Sequence, residues 1–348
     1  MFKTGISRLF KTPLKPGWLQ KRPGFNYSQL SYRRFDGNNQ KRTFWNLLTD
    51  ATSRKYLAVV LGGGTLFYVT HLEEAPVSGR KRFIWLPRWI ELKIGAYTYN
   101  SMLQETRGSI LPAAHPLTRN VSKIFLKIVQ AAQEDQDINQ ELIRGVNWEV
   151  HIVNDPRAPP NAFVLPGGKV FVFSSILSIC GNEDGLATVL SHEFAHQLAR
   201  HTSENLSKAP IYSILSGILY TVTGADIFNR LILDAFLRMP ASRQMESEAD
   251  FIGLMIMSRA CFHPEESVRL WQRMAEFEQR SKRPGMLNIE FLSTHPASAK
   301  RIENMREWLP KAEEIYAQSD CGVMSGYYDG FQKFFGSPSF ASISSWGL

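Results

Sequence analysis

EDGLATVLSHEFAHQLAR, residues 183–200, holds the string HEFAH at residues 192–196 and sets the fold expected of the whole chain. Leu186, Val189, Leu190, Phe194 and Leu198 recur mostly at three- and four-residue intervals, which predicts an amphipathic helix. Helix positions four apart share a face. The His192 and His196 imidazoles then point the same way and can grip one zinc ion, with Glu193 beside the water that the metal carries. Neutral imidazole suits zinc, an open fourth position admits water, and the neighbouring carboxylate takes its proton.

Such a site needs a third protein ligand. One class supplies a histidine ten residues after the first, behind a glycine, but those positions hold Thr202 and Ala199 here, so that class is excluded. A glutamate from a second helix is the other solution. RQMESEAD at residues 243–250 opens a second helical pattern, continued by Phe251, Leu254, Met255 and Met257. Glu246 and Asp250 lie one turn apart and face together. Glu246 is the expected metal ligand, and Asp250 the acceptor for the free ring N–H of a ligand histidine. Glu248 points to another side and is the alternative ligand if the helical phase differs. The plain alternative for the whole acidic stretch is a solvated helix face.

Four further stretches complete a family pattern: SGRKRF at residues 78–83, ILPAAHP at 110–116, NAFVLPGGKVFV at 161–172 and STHPASAKRI at 293–302. Together with HEXXH and the EXEAD helix, they resemble the gluzincin metalloendopeptidases, the family that includes bacterial HtpX and the CaaX prenyl proteases. Within it the chain is most similar to the mitochondrial inner-membrane branch whose activity overlaps that of the m-AAA protease. The resemblance implies a mostly helical α+β fold: a gluzincin-type metallopeptidase domain with a small β-hairpin above the active-site helix, and an N-terminal membrane anchor. It implies one Zn²⁺ per chain held by His192, His196 and Glu246, with Glu193 as the base, in agreement with the spacing.

The same resemblance gives two more roles. His295 matches a position near the catalytic water, where an N–H aimed at the tetrahedral oxyanion stabilises it; a plain helix start at Ser293 or Thr294 is the other reading of that stretch. Arg301, one or two helical turns further on, is expected from its position to pair with Asp250 or Glu248. Two apolar runs, 162–165 and 170–173, flank a Pro-Gly-Gly turn and read as a β-hairpin covered on both faces. By resemblance its edge, Asn161, Ala162, Phe163 and Val164, pairs with the substrate backbone, so that peptide adds as an extra strand; an ordinary core hairpin is the alternative. The remaining histidines, His71, His115, His151, His201 and His263, receive no functional role. His201, nine residues after His192, is read as a polar helix end turned away from the metal.

Charge and hydropathy suggest where the chemistry takes place. The formal charge is +8, yet residues 1–55 hold 12 Lys/Arg against two acids, leaving 28 basic and 30 acidic residues in the rest. The catalytic body therefore has no basic footprint, and nucleic acid is excluded as a partner. Residues 1–55, rich in Arg, Lys, Ser and aromatics with Asp36 as the first acid, have the composition of a mitochondrial presequence and a basic matrix-side segment. YLAVVLGGGTLFYVT, residues 56–70, is uncharged, and a transmembrane helix is expected over 56–72. Basic residues before it and Glu73 and Glu74 after it orient the metallopeptidase domain, 73–320, into the intermembrane space. A second uncharged run, 209–225, reads as a membrane-apposed or buried hairpin or a further span. The Gly/Ser/Phe-rich tail, 321–348, is a loose apron, a membrane-touching segment or a self-association surface that makes the chain a homo-oligomer. Of three cysteines, Cys180 is expected as a buried thiol, and Cys261 and Cys321 as a bridge that the intermembrane space permits.

No Gly-rich phosphate loop followed by Lys and Ser/Thr is present. The expectation is a zinc-dependent, ATP-independent endopeptidase acting on inner-membrane proteins at the lipid surface, and the resemblance implies a role in protein quality control. Two rivals stand beside it: a non-cutting scaffold that binds unfolded membrane proteins, and a CaaX prenyl protease, which needs several spans where this chain offers one or two.

Overall fold

Small residues and capped helices bring the HEFAH segment to the centre of the molecule. The structure is a computed structural model that describes residues 50–75, 78–136, 138–155, 157–223, 239–281, 295–296, 298–319 and 321. In chain order it has helix α1 (Ala51–Thr70), a hairpin of β1 (Leu72–Glu74) and β2 (Lys81–Phe83), and helices α2 (Arg88–Glu105) and α3 (Pro116–Gln133). Strands β3 (Glu149–Val153), β4 (Ala162–Leu165) and β5 (Lys169–Phe173) follow, then the short α4 (Leu177–Cys180) and α5 (Glu183–Leu198). Helices α6 (His201–Thr223), α7 (Met239–Arg259), α8 (Glu265–Ser281) and α9 (Ala299–Gln318) complete it. The class is α+β and mostly helical, as expected.

Helix α5 begins where the Asn182 side chain accepts the Gly185 N–H at 2.7 Å, with Glu183 and Asp184 in the first turn against the helix dipole. The expectation of an amphipathic helix needs correction. Thirteen of its sixteen residues are buried, so no face is left to water. Gly185, Ala187, Ser191 and Ala195 are small enough for neighbours to close on the second face, and α7, α8, α3 and β4 all pack against the helix. Gly253 of α7 marks the closest approach, since a Cβ there would lie 3.0 Å from the His192 backbone nitrogen.

The three-stranded sheet has the order β3-β5-β4, with β3 parallel and β4 antiparallel to β5, so β4 is an edge. The hairpin turn is Pro166-Gly167-Gly168, where φ of +96° and +86° requires the two glycines. Val153, Phe163, Leu165, Phe171 and Phe173 pack against Tyr99, Met102 and Leu103 of α2. Ile152, Ala162, Val164, Val170 and Val172 join the main core. The sheet is covered on both faces, as its unbroken apolar runs predict.

The span expected over 56–72 lies in α1 only as far as Thr70, where the helix ends before β1, and no residue of that helix is buried. No helix among the described residues is long and apolar enough to cross a membrane. The chain divides into two compact units at Gly63/Gly64, inside this helix. The run at 209–225 is not a buried hairpin: through Thr223 it is one helix with Pro210 inside it, and Ile211, Ile214, Ile218 and Tyr220 are exposed. Helix α9 opens on Ser298, whose side chain accepts the Arg301 N–H at 3.3 Å. Ser293 and Thr294, the helix start of the alternative reading, lie outside the described residues. Cys261 and Cys321 are disulfide-bonded with a Cα–Cα distance of 5.2 Å, joining the ends of α7 and α9. Cys180 is a buried free thiol, and burial pushes its pKa up to about 12. Residues 1–49 of the expected presequence segment and the tail beyond Cys321 also lie outside the described residues.

Candidate active site

His192 and His196 sit one turn apart on α5, with their Nε2 atoms 3.2 Å from each other. Facing them, α7 brings Glu246, with Oε2 3.4 Å from His192 Nε2 and Oε1 3.4 Å from His196 Nε2. From the segment before α9, His295 turns Nδ1 to both Glu246 oxygens at 2.9 Å and to His192 Nε2 at 3.4 Å. One donor atom from each of these four residues lies within 4.8 Å of the others. Glu248 is not among them, so Glu246 is the carboxylate at this centre.

The donor set fits zinc. Two imidazole nitrogens and a carboxylate oxygen are its usual ligands, and bonds of about 2.0–2.1 Å in a tetrahedron separate neighbouring donors by about 3.3 Å, close to the spacing here. Glu193, 5 % exposed, has an Oε1 atom with no hydrogen-bond partner among the described residues. His295 Nε2 lies 3.5 Å from that oxygen. A buried polar atom left open beside a ligand cluster is a place for a water. Burial also pushes the Glu193 carboxyl up, towards the basicity a proton acceptor needs.

The two ligand imidazoles are driven in opposite directions. Burial disfavours the His192 cation, but its hydrogen bonds to Asp250 and Glu246, together with their negative charge, outweigh it and raise its pKa to about 9. Burial, with the charge of His192 beside it, holds His196 well below the usual range. Burial would raise Glu246 too, but His192 and His295 hold it well below the carboxylate range.

Asp250, one turn after Glu246, stands behind His192 with Oδ1 3.0 Å from Nδ1. Arg301 of α9 grips it with two bonds, Nε to Oδ2 at 2.7 Å and Nη2 to Oδ1 at 2.6 Å. Of the two partners expected for Arg301, the structure selects Asp250. Its guanidinium also lies 3.6 Å over the Trp271 ring and 3.2 Å from Glu246 Oε2.

His201 corrects the sequence reading. It is buried, its Nδ1 lies 2.8 Å from His196 Nδ1, and its Nε2 lies 3.1 Å from Glu248 Oε2. Counting nine residues along a straight helix turned it away from the metal, but the helix stops first. Arg200 has φ +51°, a left-handed residue that ends α5 and sends the chain back. Arg200 is held there by Glu91 at 3.0 Å and the Leu86 carbonyl at 3.1 Å. The signal that would have found His201 is Glu248, an acid in a core-facing helix that is left over once Asp250 takes Arg301 and Glu246 takes the metal.

Of the four residues expected to pair with substrate, Ala162, Phe163 and Val164 lie in edge strand β4, which packs on α5, and the Asn161 carbonyl accepts the Phe173 N–H at 3.0 Å. Ala162 is buried and Phe163 stacks on Phe171 at 5.3 Å between ring centroids, so the side chains hold the strand in place.

The sequence profile of peptidase family M48 matches residues 118–309. The chain is 63 % identical over 303 residues to the mitochondrial metalloendopeptidase OMA1 of Saccharomyces cerevisiae, covering 86 % of this chain and 88 % of that one. It is 37 % identical to the protein of the same name from Schizosaccharomyces pombe over 86 % of this chain and 90 % of that one. A more distant relative is the beta-barrel assembly-enhancing protease of Escherichia coli, 24 % identical over 66 % of this chain and 46 % of its own length. With its HEXXH helix, distant glutamate and matched profile, the chain belongs to peptidase family M48.

Proposed function

We infer that the chain is a mitochondrial zinc-dependent, ATP-independent metalloendopeptidase. The observation that carries this reading is the convergence of His192, His196 and Glu246 from two helices next to a buried, open Glu193 oxygen. When bound, zinc supplies a Lewis acid that polarises the scissile carbonyl and acidifies water. Glu193 takes the proton of the attacking water and hands it to the departing amide nitrogen. His295, between Glu193 and Glu246, offers an N–H to the developing oxyanion. Asp250, locked by Arg301, orients His192. The edge of β4 from Asn161 to Val164 aligns an extended substrate as an added strand, which makes selection depend on an unfolded, accessible segment.

The natural setting of this chemistry, in our proposal, is the inner membrane, with the catalytic domain facing the intermembrane space and misfolded membrane proteins as substrates. The charge asymmetry about residues 56–70 and the exposed apolar side chains of α1 and α6 support attachment to lipid. The names of the yeast relatives, mitochondrial metalloendopeptidases, support the compartment. Self-association of copies belongs to the same proposal.

Zinc content and cleavage of an unfolded inner-membrane protein, measured for wild type and Glu193→Gln, test this reading. The variant should keep about one zinc per chain and lose at least about 10²–10⁴-fold in rate. Chelation should abolish wild-type cleavage and ATP should change nothing. Cleavage that survives in Glu193→Gln or after chelation overturns the mechanism; a variant that still supports the protein's cellular role favours the non-cutting scaffold.

A further inference from the structure

Behind His196 lies a second layer of buried polar side chains that the peptidase chemistry does not itself use. His201 Nδ1 meets His196 Nδ1 at 2.8 Å, and His201 Nε2 meets Glu248 Oε2 at 3.1 Å. Glu248 is gripped from the β1–β2 connection: Ser78 Oγ donates to Oε1, and Arg80 donates to Oε2 through Nε at 3.3 Å and Nη2 at 3.0 Å. Arg80 also donates to both oxygens of buried Glu204 of α6, at 2.8 and 2.7 Å. One guanidinium thus ties the hairpin after α1 to helices α6 and α7. The hairpin is seated independently as well, because Arg82 donates to the Ala199 carbonyl at the end of α5 and β2 packs on α6.

With both imidazoles neutral, the donor and acceptor roles along this chain are fixed. A carboxylate facing Arg80 is an acceptor only, so the proton on His201 must sit on Nε2 and point to Glu248. Neutral His201 then has a bare Nδ1, which can only accept, so His196 must carry its proton on Nδ1. That leaves the His196 Nε2 lone pair free on the side of His192 and Glu246, the form a metal-ligating imidazole needs.

We propose that His201 and Glu248, clamped by Arg80 and Ser78, are positioning residues that fix the tautomer and ring orientation of the ligand His196, making the hairpin after α1 an integral part of the metal site. The proposal rests on the zinc reading given above. It extends to His196 what Asp250 and Arg301 do for His192, so each ligand imidazole is held from behind by a carboxylate and an arginine, directly in one case and through a second imidazole in the other.

The test uses the full chain in detergent, with zinc affinity measured by competition against a chromophoric chelator and the visible spectrum recorded after cobalt substitution. His201→Leu should weaken zinc binding roughly 10–100-fold and shift the cobalt bands. His201→Gln, whose amide oxygen accepts from His196 while its NH₂ donates to Glu248, should recover most of the affinity and the wild-type spectrum. Arg80→Ala and Ser78→Ala, on the hairpin, should weaken binding in the same direction by smaller factors, and they carry the test if His201→Leu does not fold. Wild-type zinc affinity and cobalt spectra across His201→Leu, Arg80→Ala and Ser78→Ala overturn the relay while leaving the zinc site standing. If Glu246→Gln binds zinc as wild type does, the metal-site reading fails and the relay falls with it.

Discussion

Arg301 carries more of the site than any other single side chain outside the ligand set. It is 6 % exposed, it holds Asp250 by two bonds, it covers the Trp271 ring, and it neutralises the buried carboxylates that hold His192. Removing one partner of such a buried pair leaves the other charge stranded, at a cost of about 3–5 kcal/mol. Arg301→Leu should therefore lower the unfolding free energy of the metal-free protein by that amount in denaturant titration. Arg301→Lys should recover only part, since an ammonium cannot make the fork or stack on the indole. At this scale the sequence was informative wherever a helix ran straight. HEFAH placed two imidazoles on one face, and the four-residue interval from Glu246 to Asp250 put the ligand and its supporting acid together. His201 was missed because the left-handed turn at Arg200 changes the phase, and no residue type there announces it: arginine is an uncommon occupant of that conformation.

The meeting of α5 and α7 is the element on which the ligand geometry depends. Glu246, Asp250 and Gly253 follow at intervals of four and three, so they share the face that meets α5. The glycine allows the backbones to touch: a Cβ on it would lie 3.0 Å from His192 N and 3.1 Å from His192 Cα. Backbone atoms cannot move aside as side chains can, so the helices themselves must part. Gly253→Val should cost about 1–3 kcal/mol by overpacking. It should also weaken zinc binding, because any separation draws Glu246 away from the histidines. Gly253→Ala should show both effects at smaller size in thermal unfolding and chelator competition, whereas loss of stability with unchanged zinc affinity would refute the link. The HEXXH and EXEAD helices and the Pro-Gly-Gly hairpin were legible from period and turn chemistry. Helix α2 and the β1–β2 hairpin were not, since the apolar residues of α2 spread round its whole circumference and three-residue strands are too short to show alternation.

The same hairpin gives the molecule an acid-sensitive joint. Burial would raise Glu204, but hydrogen bonds from Arg80 and Lys208 overcome it and lower its pKa from the ordinary 4.5. A carboxyl with a depressed folded-state pKa stabilises the fold fully above its unfolded value and loses that contribution as pH falls through the folded one. The difference in unfolding free energy between wild type and Glu204→Gln should therefore be constant above about pH 5 and shrink below 4.5. The many other carboxylates cancel in that difference. A gap that stays level down to pH 3 would show that the ion pairs of Glu204 contribute nothing to folding.

At the scale of the whole molecule, polarity is divided between a catalytic body with a cluster of buried charges around the site and two helices that expose their apolar side chains. The sequence showed that division as two uncharged runs, but it could not tell a span from a surface helix, because length and hydropathy near the threshold fit both. Helix α6 starts inside the site with His201 and Glu204 and then leaves the core. From Ala209 to Tyr220 none of its residues is buried, and Ile214 and Ile218, one turn apart, are 66 % and 52 % exposed. Trp85 and Trp89 are exposed too, and the Trp85 indole N–H donates to the Ser207 carbonyl at 3.0 Å, anchoring an aromatic beside the same helix. Aromatic rings next to an apolar helix are suited to the boundary between lipid and water. If this half of α6 rests on the bilayer, the active site at its other end is held close to the surface from which loosened substrate segments emerge. The double substitution Ile214→Asp and Ile218→Asp should then reduce binding to anionic lipid vesicles in flotation assays while leaving zinc content and cleavage of a detergent-solubilised substrate near wild type. Cleavage of a vesicle-embedded substrate should fall by a larger factor than binding of zinc or turnover in detergent. Equal flotation and equal turnover in vesicles would mean that α6 does not touch the membrane, leaving attachment to α1 and the residues before it.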